Sequence, residues 1–442
     1  MGRLLTENMM HTVAVVSLGC PKNQIDAETM LGLLAEKGYS LLNRPEKAEV
    51  IIVNTCGFID KAREESVQQI LAMAEYKRAG TCRQLIVTGC LAQRYSAELA
   101  RELPEVDAFV GTGQVDKIAE VITANQSCLG SPDRYDGVAE TRRIFSTFPY
   151  GYLKIAEGCN NWCSYCVIPR LRGKLRSKPQ EQIIAEARRM VDSGIREIVL
   201  IAQDTAQYGL DWGGRSQLPE LLRRLEAAVG NAWLRVMYCY PDRISPELLD
   251  VVAGSDVICK YLDIPLQHSH PDILASMGRN RRGADLLKLI ETVRRHVPGI
   301  ALRTTFIVGY PGETEEHFQH LLDFVRWAEF DHLGAFMYSR EEGTPAARLK
   351  PQVSAGVKAR RYRELMETQQ KIVLQRNARQ AGKEFTALVD DVRGAKATAR
   401  SQWQAPEVDS AVILPAGSLK PGDMVNVRCT GFDGYDLVGV KI

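Results

Sequence analysis

The sequence predicts an α/β protein with three parts: a parallel-sheet α/β domain, a partial barrel of strand-helix units, and a small antiparallel β-barrel. Three observations support this fold class. Apolar, strand-sized runs alternate with helical stretches over residues 13–338, a polar linker interrupts the alternation once, and short alternating runs replace it after residue 385. At 442 residues the chain is also longer than one hydrophobic core usually supports.

The amino-terminal domain, predicted over residues 1–140, repeats one unit. In each repeat an apolar run ends at a cysteine and a helical stretch follows; the runs are residues 13–20, 50–56 and 85–90. Strands that alternate with helices predict a parallel sheet, and such sheets bind ligands beyond the carboxyl ends of their strands. Cys20, Cys56 and Cys90 all fall at that end, so we expect them to form one site.

The central domain is predicted over residues 141–380. A segment rich in Gly, Ser, Pro and Asp, residues 126–139, predicts the linker before it. Six strand-like runs follow, at residues 152–155, 197–202, 233–238, 261–265, 301–308 and 332–338. Six strand-helix units are too few for a closed eight-unit barrel, so we expect an open partial (β/α)6 barrel. A long helix over residues 357–380 leads out of it.

The last domain, residues 381–442, has short alternating runs separated by glycine and proline, which predicts the small antiparallel β-barrel. From residue 383 onward it carries seven basic and eight acidic residues. An RNA-binding barrel needs excess Lys and Arg to neutralise phosphates, so this balance suits a protein substrate better than a polyanion. Trp403, Phe432 and Tyr435 are candidates either for substrate contacts or for the barrel core.

The composition excludes several classes of protein. The net charge is +2, so no global positive field marks a nucleic-acid binder. The apolar runs are strand-sized, so we expect no membrane span, and the first ten residues lack the features of an export signal. We therefore expect a cytoplasmic protein, in which eleven cysteines favour metal or redox chemistry over disulfides.

One cysteine cluster has an unusual spacing. Cys159, Cys163 and Cys166 form a C-x3-C-x2-C pattern directly after the first strand of the central domain. Structural zinc normally takes four ligands, and no fourth cysteine or histidine lies nearby in sequence. A 4Fe-4S cluster held by three thiolates has one iron left for substrate, and four-cysteine ferredoxin spacings differ from this one.

This segment resembles the radical AdoMet superfamily (AdoMet is S-adenosylmethionine), whose motif has the same spacing and an aromatic residue, here Tyr165, before the last cysteine. The resemblance implies that AdoMet binds the open iron and is cleaved to methionine and a 5'-deoxyadenosyl radical. Tyr165 is an expected AdoMet contact, and so are Gln203, Gly309 and Gly312, which follow barrel strands. The alternative is that these last three form ordinary strand-to-helix turns.

The whole arrangement resembles the methylthiotransferase family, in which an amino-terminal cysteine triad precedes a radical AdoMet barrel and a terminal TRAM domain. The resemblance implies that Cys20, Cys56 and Cys90 hold an auxiliary 4Fe-4S cluster, so that all six cysteines are catalytic. In the family, that cluster carries the sulfur, one AdoMet supplies the methyl group, and a second supplies the radical that removes a substrate hydrogen. An electron donor such as flavodoxin or ferredoxin is implied, and the sulfur donor stays unidentified.

Three local stretches resemble the RimO group of that family, which modifies the β-carbon of an aspartate in small-subunit ribosomal protein number twelve. They are residues 17–23, 54–60 and 405–409. The tRNA methylthiotransferases, which modify an adenosine, are the alternative within the enzyme class. An electron-transfer or redox-sensing protein could also use two clusters, and zinc could stabilise a binding protein through the same cysteines.

The remaining candidate ligands have no metal-binding pattern. The five other cysteines lack paired spacing and are expected to be structural; they are Cys82, Cys128, Cys239, Cys259 and Cys429. The seven histidines are scattered in sequence, and even His268 and His270 lack the i, i+4 pairing of common helical metal motifs. We therefore expect none of the histidines to be a ligand.

Overall fold

The computed structural model describes residues 11–134, 143–279, 283 and 285–442. Backbone contacts divide the chain into two compact units: Met1–Phe145 together with Val167–Lys174, and Ser146–Cys166 together with Leu175–Ile442. The boundary predicted at residue 140 lies outside the described residues, and the division into three domains stays a prediction. Among the described helices, none combines the length and the apolar character that crossing a bilayer requires.

The first unit is a parallel sheet with helices on both faces. Its strands and helices, in chain order, are β1 (Thr12–Ser17), α1 (Pro21–Glu36), β2 (Ser40–Leu42), β3 (Val50–Thr55), α2 (Asp60–Arg78), β4 (Gln84–Gly89), α3 (Cys90–Glu102), β5 (Ala108–Val110), α4 (Ile118–Ala124) and α5 (Ile168–Leu171). The strand order is β2-β1-β3-β4-β5, and each pair is parallel. This confirms the predicted amino-terminal fold.

The central strand of this sheet explains the fold from its residues. All six residues of β3 are buried, as expected for a parallel strand covered on both faces. Ile51 and Val53 pack with Ile70 of α2 on one face. Ile52 packs with Met30 of α1 on the other. The β-branched run therefore fixes the sheet between two helical layers.

The second unit begins with the partial barrel. Its elements up to the exit helix are β6 (Tyr150–Lys154), β7 (Ala156–Glu157), β8 (Arg176–Ser177), α6 (Gln180–Asp192), β9 (Glu197–Ile201), α7 (Leu210–Gly213), α8 (Leu218–Val229), β10 (Trp233–Val236), α9 (Pro246–Gly254), β11 (Ile258–Asp263), α10 (Pro271–Ser276), α11 (Leu286–His296), β12 (Ala301–Val308), α12 (Glu315–Ala328), β13 (His332–Met337) and α13 (Ala355–Ala378). The six parallel strands run in the order β13-β12-β11-β10-β9-β6 without closing, which confirms the open six-stranded barrel.

The end of the chain forms a closed barrel. Its strands are β14 (Glu384–Arg393), β15 (Lys396–Ser401), β16 (Val412–Pro415), β17 (Met424–Asp433) and β18 (Asp436–Lys441). The predicted antiparallel barrel is confirmed, with one difference: β16 and β18 pair in parallel. Phe432 and Tyr435 are about two-fifths exposed, whereas Trp403 is half-buried and packs on Phe385.

Residues 405–409 connect this closed barrel to the open six-stranded barrel (the main barrel) inside the second unit. Glu407 has a left-handed backbone (φ +67°) and accepts hydrogen bonds from the hydroxyls of Tyr150 (3.2 Å) and Tyr152 (2.6 Å). Asp409 accepts from the hydroxyl of Tyr261 at 2.7 Å and from the guanidinium of Arg303 at 2.9 Å. The segment that resembles the RimO group is therefore an anchor for the closed barrel.

Candidate functional site

The first cysteine triad is built at one edge of the parallel sheet. Cys20 lies at the start of α1, Cys56 follows β3, and Cys90 begins α3 directly after β4. The strands β1, β3 and β4 are neighbours, so their carboxyl ends bring the three loops together. The structure thus brings Cys20, Cys56 and Cys90 to one place, as the sequence predicts.

Two glycines allow the three loops to approach closely. Gly19 has φ +95°, and a Cβ built on it would lie 2.9 Å from the Cβ and 3.3 Å from the Sγ of Cys56. Gly89 has φ +93°, and a Cβ there would overlap the carbonyl oxygen of Thr55. Both positions need a left-handed backbone and have no room for a side chain.

The surroundings of two thiols of this triad, Cys56 and Cys90, favour their neutral form. Cys20 is exposed, Cys56 is half-buried and Cys90 is buried. Burial, aided by the nearby thiols of Cys90 and Cys20, raises the pKa of Cys56 to about 11. Burial likewise raises the pKa of Cys90, against the lowering effect of the Arg172 guanidinium. Thiols of this kind ionise when a cationic centre binds, because the centre replaces the missing positive charge.

A buried polar network holds the triad loops in place. Asn23 donates from Nδ2 to the carbonyls of Leu18 and Thr55, both at 2.9 Å, and so ties the loop after β1 to the end of β3. Arg172 is 2% exposed; it donates to Oδ1 of Asn23 at 2.6 Å and to Oδ2 of Asp26 at 2.7 Å. The network stiffens the loops that carry Cys20 and Cys56.

Ser66 of α2 fixes the backbone around Cys56 from the opposite side. Its hydroxyl accepts from the backbone N–H of Cys56 at 3.0 Å and donates to the carbonyl of the same residue at 3.0 Å. Ser66 is fully buried, so water does not compete for these bonds. The cysteine loop is thereby fixed before any ligand arrives.

The second triad occupies the loop after β7 in the second unit. The backbone is left-handed at Gly158 (φ +79°) and at Trp162 (φ +52°), which folds the loop so that the N–H of Cys166 donates to the carbonyl of Cys163 at 3.0 Å. Two donors face the sulfur of Cys159: the N–H of Asn161 at 3.4 Å and Nε2 of Gln207 at 3.5 Å.

Burial dominates the electrostatics at Cys159 as it does in the first triad. It raises the pKa of Cys159 to about 11, and the nearby Asp204 and Cys163 act in the same direction. Asp204 is itself held in a network, since it accepts from Nδ2 of Asn161 at 2.9 Å and from Arg243 at 3.1 Å. The polar wall behind Cys159 therefore fixes the cysteine loop.

Arg279 lies beside the other part of this triad. Its Nη1 is 3.7 Å from the sulfur of Cys163 and donates to the hydroxyl of Tyr165 at 3.3 Å. Its guanidinium stacks over the ring of Tyr240, 4.3 Å from the centroid. Burial raises the pKa of Tyr165 well above its usual value, so this hydroxyl stays protonated. Arg279 is therefore a buried cation in contact with the cysteine loop.

Tyr165 lies in the cysteine loop, and the other three predicted AdoMet contacts lie at the carboxyl ends of barrel strands. Gln203 follows β9 and donates from Nε2 to Glu157 at 2.6 Å, while its Oε1 is buried with no hydrogen-bond partner among the described residues. Gly309 and Gly312 follow β12 with φ +73° and +82°. The N–H of Gly309 donates to Oε2 of Glu313 at 2.5 Å, so this glycine already has a structural role.

Sequence reasoning missed the polar residues that support both triads: Asn23, Arg172, Gln207, Arg279 and Glu313. Asn23 was within reach, because it stands in the stretch 17–23 beside Cys20. Arg172 and Arg279 carry no local signal, since an arginine in a sequence gives no indication that it is buried. Their partners are set by the fold.

Three models of known families match separate segments of the chain. Residues 12–111 match the model described as "Uncharacterized protein family UPF0004", residues 153–325 match the Radical SAM superfamily, and residues 381–442 match the TRAM domain. The first two matches each include one cysteine triad. These matches confirm the predicted superfamily and the predicted terminal domain.

Curated relatives extend over nearly the whole chain. One from Geobacter sulfurreducens is 48% identical over 98% of this chain and 99% of its own length, and is named "Ribosomal protein uS12 methylthiotransferase RimO". The chain belongs to the RimO family. A second relative with that name, from Desulforamulus reducens, is 46% identical over 97% of this chain and 99% of its own length. Membership of the RimO family confirms the resemblance stated from the domain arrangement and the three local stretches, and makes the chain a methylthiotransferase.

A solved structure supports the fold of a RimO protein over most of its length. The radical S-adenosylmethionine methyltransferase TsrM from Kitasatospora setae, described with cobalamin and a [4Fe-4S] cluster bound, superimposes with a TM-score of 0.58. The match covers 76% of this chain and 77% of TsrM at 16% identity. At that identity the likeness concerns the fold alone.

Proposed function

We propose that this chain adds a methylthio group to the β-carbon of an aspartate in ribosomal protein uS12, using AdoMet and two 4Fe-4S clusters. The observation that carries the proposal is the 48% identity, over 98% of the chain, to a relative named for methylthiolation of that protein. A carbon that bears no acidic proton cannot be activated by a side-chain base, so the reaction needs radical chemistry. Two separate cysteine triads provide the thiolates for the two clusters that this chemistry uses.

The triad in the second unit fits the cluster that activates AdoMet. Cys159, Cys163 and Cys166 lie in one tightly folded loop, and no fourth cysteine lies near them in sequence. Buried Oε1 of Gln203, which has no partner among the described residues, is an acceptor available to the amino or hydroxyl groups of AdoMet. When bound, the cluster and AdoMet together supply the radical that removes the substrate hydrogen.

The triad in the first unit fits the auxiliary cluster. Three thiols from neighbouring loops converge, and burial keeps the thiols of Cys56 and Cys90 neutral until a metal centre is present. Asn23 and Arg172 hold the loops, and Ser66 fixes the backbone of Cys56. In this proposal the triad holds the sulfur-carrying centre, and these residues keep it rigid.

The surface of the closed barrel supports a protein substrate. Of its fifteen charged residues, Arg400, Asp390, Glu407 and Asp409 are engaged in contacts with the main barrel or with each other. Six basic and five acidic residues remain, so the outer surface is still close to neutral. A tRNA-binding barrel would need a clear positive excess.

The remaining partners follow from the chemistry. Reducing AdoMet takes one low-potential electron, which flavodoxin or ferredoxin would supply, and each turnover consumes one sulfur atom from a donor yet to be identified. A ribosomal substrate and a large number of free cysteines argue for the cytoplasm.

The test of the proposed function is a choice of substrate. Anaerobically reconstituted protein is incubated with AdoMet, a reductant and either a uS12 loop peptide or tRNA, and both products are examined by mass spectrometry. We expect the methylthio mass gain on the aspartate of the peptide alone. Modification of tRNA without modification of the peptide would overturn the proposal.

Cysteine variants separate the two triads. Cys163→Ala should abolish AdoMet cleavage while the auxiliary cluster stays detectable by EPR, because only the AdoMet-binding cluster loses a ligand. Cys56→Ala should keep AdoMet cleavage but stop methylthio transfer. Cys82→Ala is the matched control, because Cys82 is buried in the same unit but lies before β4 and donates to the carbonyl of Gln84. Normal methylthio transfer by Cys56→Ala would contradict the sulfur-carrier assignment.

A further inference from the structure

Four of the seven histidines meet on one side of the second unit, although they are scattered in sequence. His268 and His270 lie in the loop between β11 and α10, and His317 and His320 lie on the first turns of α12. The ring centroid of His270 is 4.3 Å from that of His317 and 5.0 Å from that of His320. The histidines therefore cluster in space, although no i, i+4 pair marks them in the sequence.

We propose that His270, Asp272 and His317 bind a divalent transition-metal ion of the zinc class, at a site separate from both cysteine triads. One ligand atom from each of these residues lies within 4.8 Å of the others. Two imidazoles and a carboxylate are a donor set that zinc takes in proteins, with ligand distances of about 2.0 to 2.2 Å. The ligand atoms are somewhat further apart than such distances require, so binding draws the loop and the helix together.

His268 gives a second, independent indication of a ligand. It is completely buried, and its Nε2 has no hydrogen-bond partner among the described residues. Its Nδ1 accepts from the N–H of His270 at 2.9 Å, which leaves the ring proton on Nε2. An orphaned donor beside the cluster needs an acceptor, and the open position of a three-ligand zinc ion normally carries water.

The charges around the cluster permit a cation. Asp272, Glu316 and Asp323 are the acidic groups that act on His317 and His320. Arg361 is the opposing cation near His268, but it is paired with Glu313 at 3.0 Å and with Glu315 at 3.3 Å.

Metal binding competes with two long hydrogen bonds. Nδ1 of His270 accepts from the N–H of Asp272 at 3.3 Å, and Nδ1 of His317 accepts from the N–H of Thr314 at 3.2 Å. A ring that binds metal through Nε2 carries its proton on Nδ1 and gives up such a bond. Both bonds are at the long end of the normal range, so their loss is a small cost beside metal ligation.

The test uses variants that keep these helix caps. His270→Asn retains a strong N-cap for α10, and His317→Gln retains the capping box of α12, while each removes an imidazole ligand. His296→Gln is the control, because His296 lies at the end of α11, where its Nδ1 is 2.9 Å from the carbonyl oxygen of Thr292. Circular dichroism and iron content check that each variant is folded and holds its clusters.

The reconstituted, cluster-loaded protein is equilibrated with ZnCl2 and then desalted in the presence of a weak chelator. The zinc content per chain is measured by inductively coupled plasma mass spectrometry. We expect one zinc per chain in the parent protein and in His296→Gln, at unchanged iron content. His270→Asn and His317→Gln should bind zinc at least about 10-fold more weakly. Zinc should also raise the melting temperature of the parent protein but not of these two variants.

Two results would overturn the site. Zinc retention that is equal in the parent, His270→Asn and His317→Gln would exclude these residues as ligands. Zinc gained only with a matching loss of iron would mean that the metal enters the cysteine triads. Neither result bears on methylthio transfer, so the proposed function is tested separately.

Discussion

At the scale of single residues, each cysteine triad is accompanied by one buried arginine. Arg172 bonds to Asn23 and Asp26 beside the first triad, and Arg279 contacts Cys163 beside the second. Burial opposes thiolate formation at Cys56 and Cys90, and the guanidinium of Arg172 offsets part of that penalty. We therefore expect these arginines to matter for holding clusters although they lie outside any cysteine motif.

The first prediction concerns Arg172→Met. The change removes a cation near Cys90 and two hydrogen bonds that hold Asn23 and Asp26, so the first triad should hold iron about 10- to 100-fold more weakly. Iron content and EPR of the auxiliary cluster, recorded in a Cys163→Ala background, measure the effect.

Arg143→Met is the matched control for that prediction. Arg143 is a buried arginine of the same unit, with side-chain exposure of 1%, and it pairs with Glu28 at 2.5 Å. Its loss should lower stability by a similar amount, because it likewise removes the cationic partner of a buried carboxylate. If both variants lost the auxiliary cluster equally, Arg172 would have only a general structural role.

The grouping of the cysteines could be predicted from the sequence, whereas the buried polar residues around them could not, for a physical reason. A metal site needs several thiolates at short spacing or at equivalent strand ends, and both patterns are local. The arginine that supports Cys90 is Arg172, which is 82 positions along the chain, and nothing local distinguishes it from an exposed arginine. The same applies to the four clustered histidines, which come together only when α10 packs near α12.

At the scale of elements, tight strand-to-loop turns decide whether the first triad can form. The second prediction is that Gly89→Ala destabilises the protein by at least about 2 kcal/mol more than Gly38→Ala. Both glycines have positive φ, +93° and +84°, so both variants carry the left-handed backbone penalty. Only at Gly89 would the new Cβ meet backbone, at the carbonyl of Thr55, whereas nothing lies within 4 Å at Gly38.

Urea unfolding of the two glycine variants gives this difference, and iron content reports on the site. Gly89→Ala should lose auxiliary iron because the end of β4 moves away from β3. Equal stability and equal iron in the two variants would show that the sheet edge can relax around the added methyl group.

The turn after β12 gives a third prediction, on pH dependence. Burial raises the pKa of Glu313 to about 7, although Arg361 and the N–H groups of Tyr310 and Gly309 act to lower it. A carboxyl whose pKa is raised on folding adds stability that is complete below its unfolded value, near 4.5, and is lost as pH rises through about 7. This group should therefore remove about 3 kcal/mol of stability between those pH values.

Glu313→Gln should remove that slope, as measured by the free energy of unfolding at several pH values. Glu315→Gln is the control, because Glu315 contacts the same Arg361 but its pKa is lowered, chiefly by its bond to Arg360. Its contribution is lost only as pH falls below the usual carboxylate range, so between pH 5 and 8 this variant should keep the parental slope. A parental slope in Glu313→Gln would contradict the raised pKa.

At the scale of the whole molecule, periodicity was enough to predict the order of the parts but not how they are joined. Apolar runs that alternate with helical stretches predicted the parallel sheet and the six-stranded open barrel, and the short alternating runs after residue 385 predicted the terminal barrel. The connection through Glu407 and Asp409 depends on partners more than 100 positions away, at Tyr152 and Arg303. A pattern of local hydrophobicity carries no information about such pairs.

A buried ionic network also connects the closed barrel to the main barrel, within the second unit. Arg400 of β15 donates to Glu197 of β9 at 2.5 Å and to Asp390 of β14 at 2.6 Å. Glu197 also accepts from Arg235 of β10 at 2.6 Å, and both Glu197 and Arg235 are fully buried. Burial alone would raise the pKa of Glu197, but the two guanidinium groups lower it.

The fourth prediction follows from that network. Arg400→Met leaves Asp390 without its partner and Glu197 with only one, so it should cost about 3 to 5 kcal/mol of unfolding free energy. Arg393→Met is the control, because Arg393 lies on the same barrel and pairs with Asp391 at 2.6 Å, but its side chain is 89% exposed. An exposed pair of that kind contributes at most about 1 kcal/mol, and salt screens it. The cost of Arg400→Met should therefore persist in 1 M salt, where the small effect of Arg393→Met disappears. Comparable losses of unfolding free energy in the two variants would contradict this prediction. They would mean that water reaches the network and that the closed barrel is held by its apolar contacts alone.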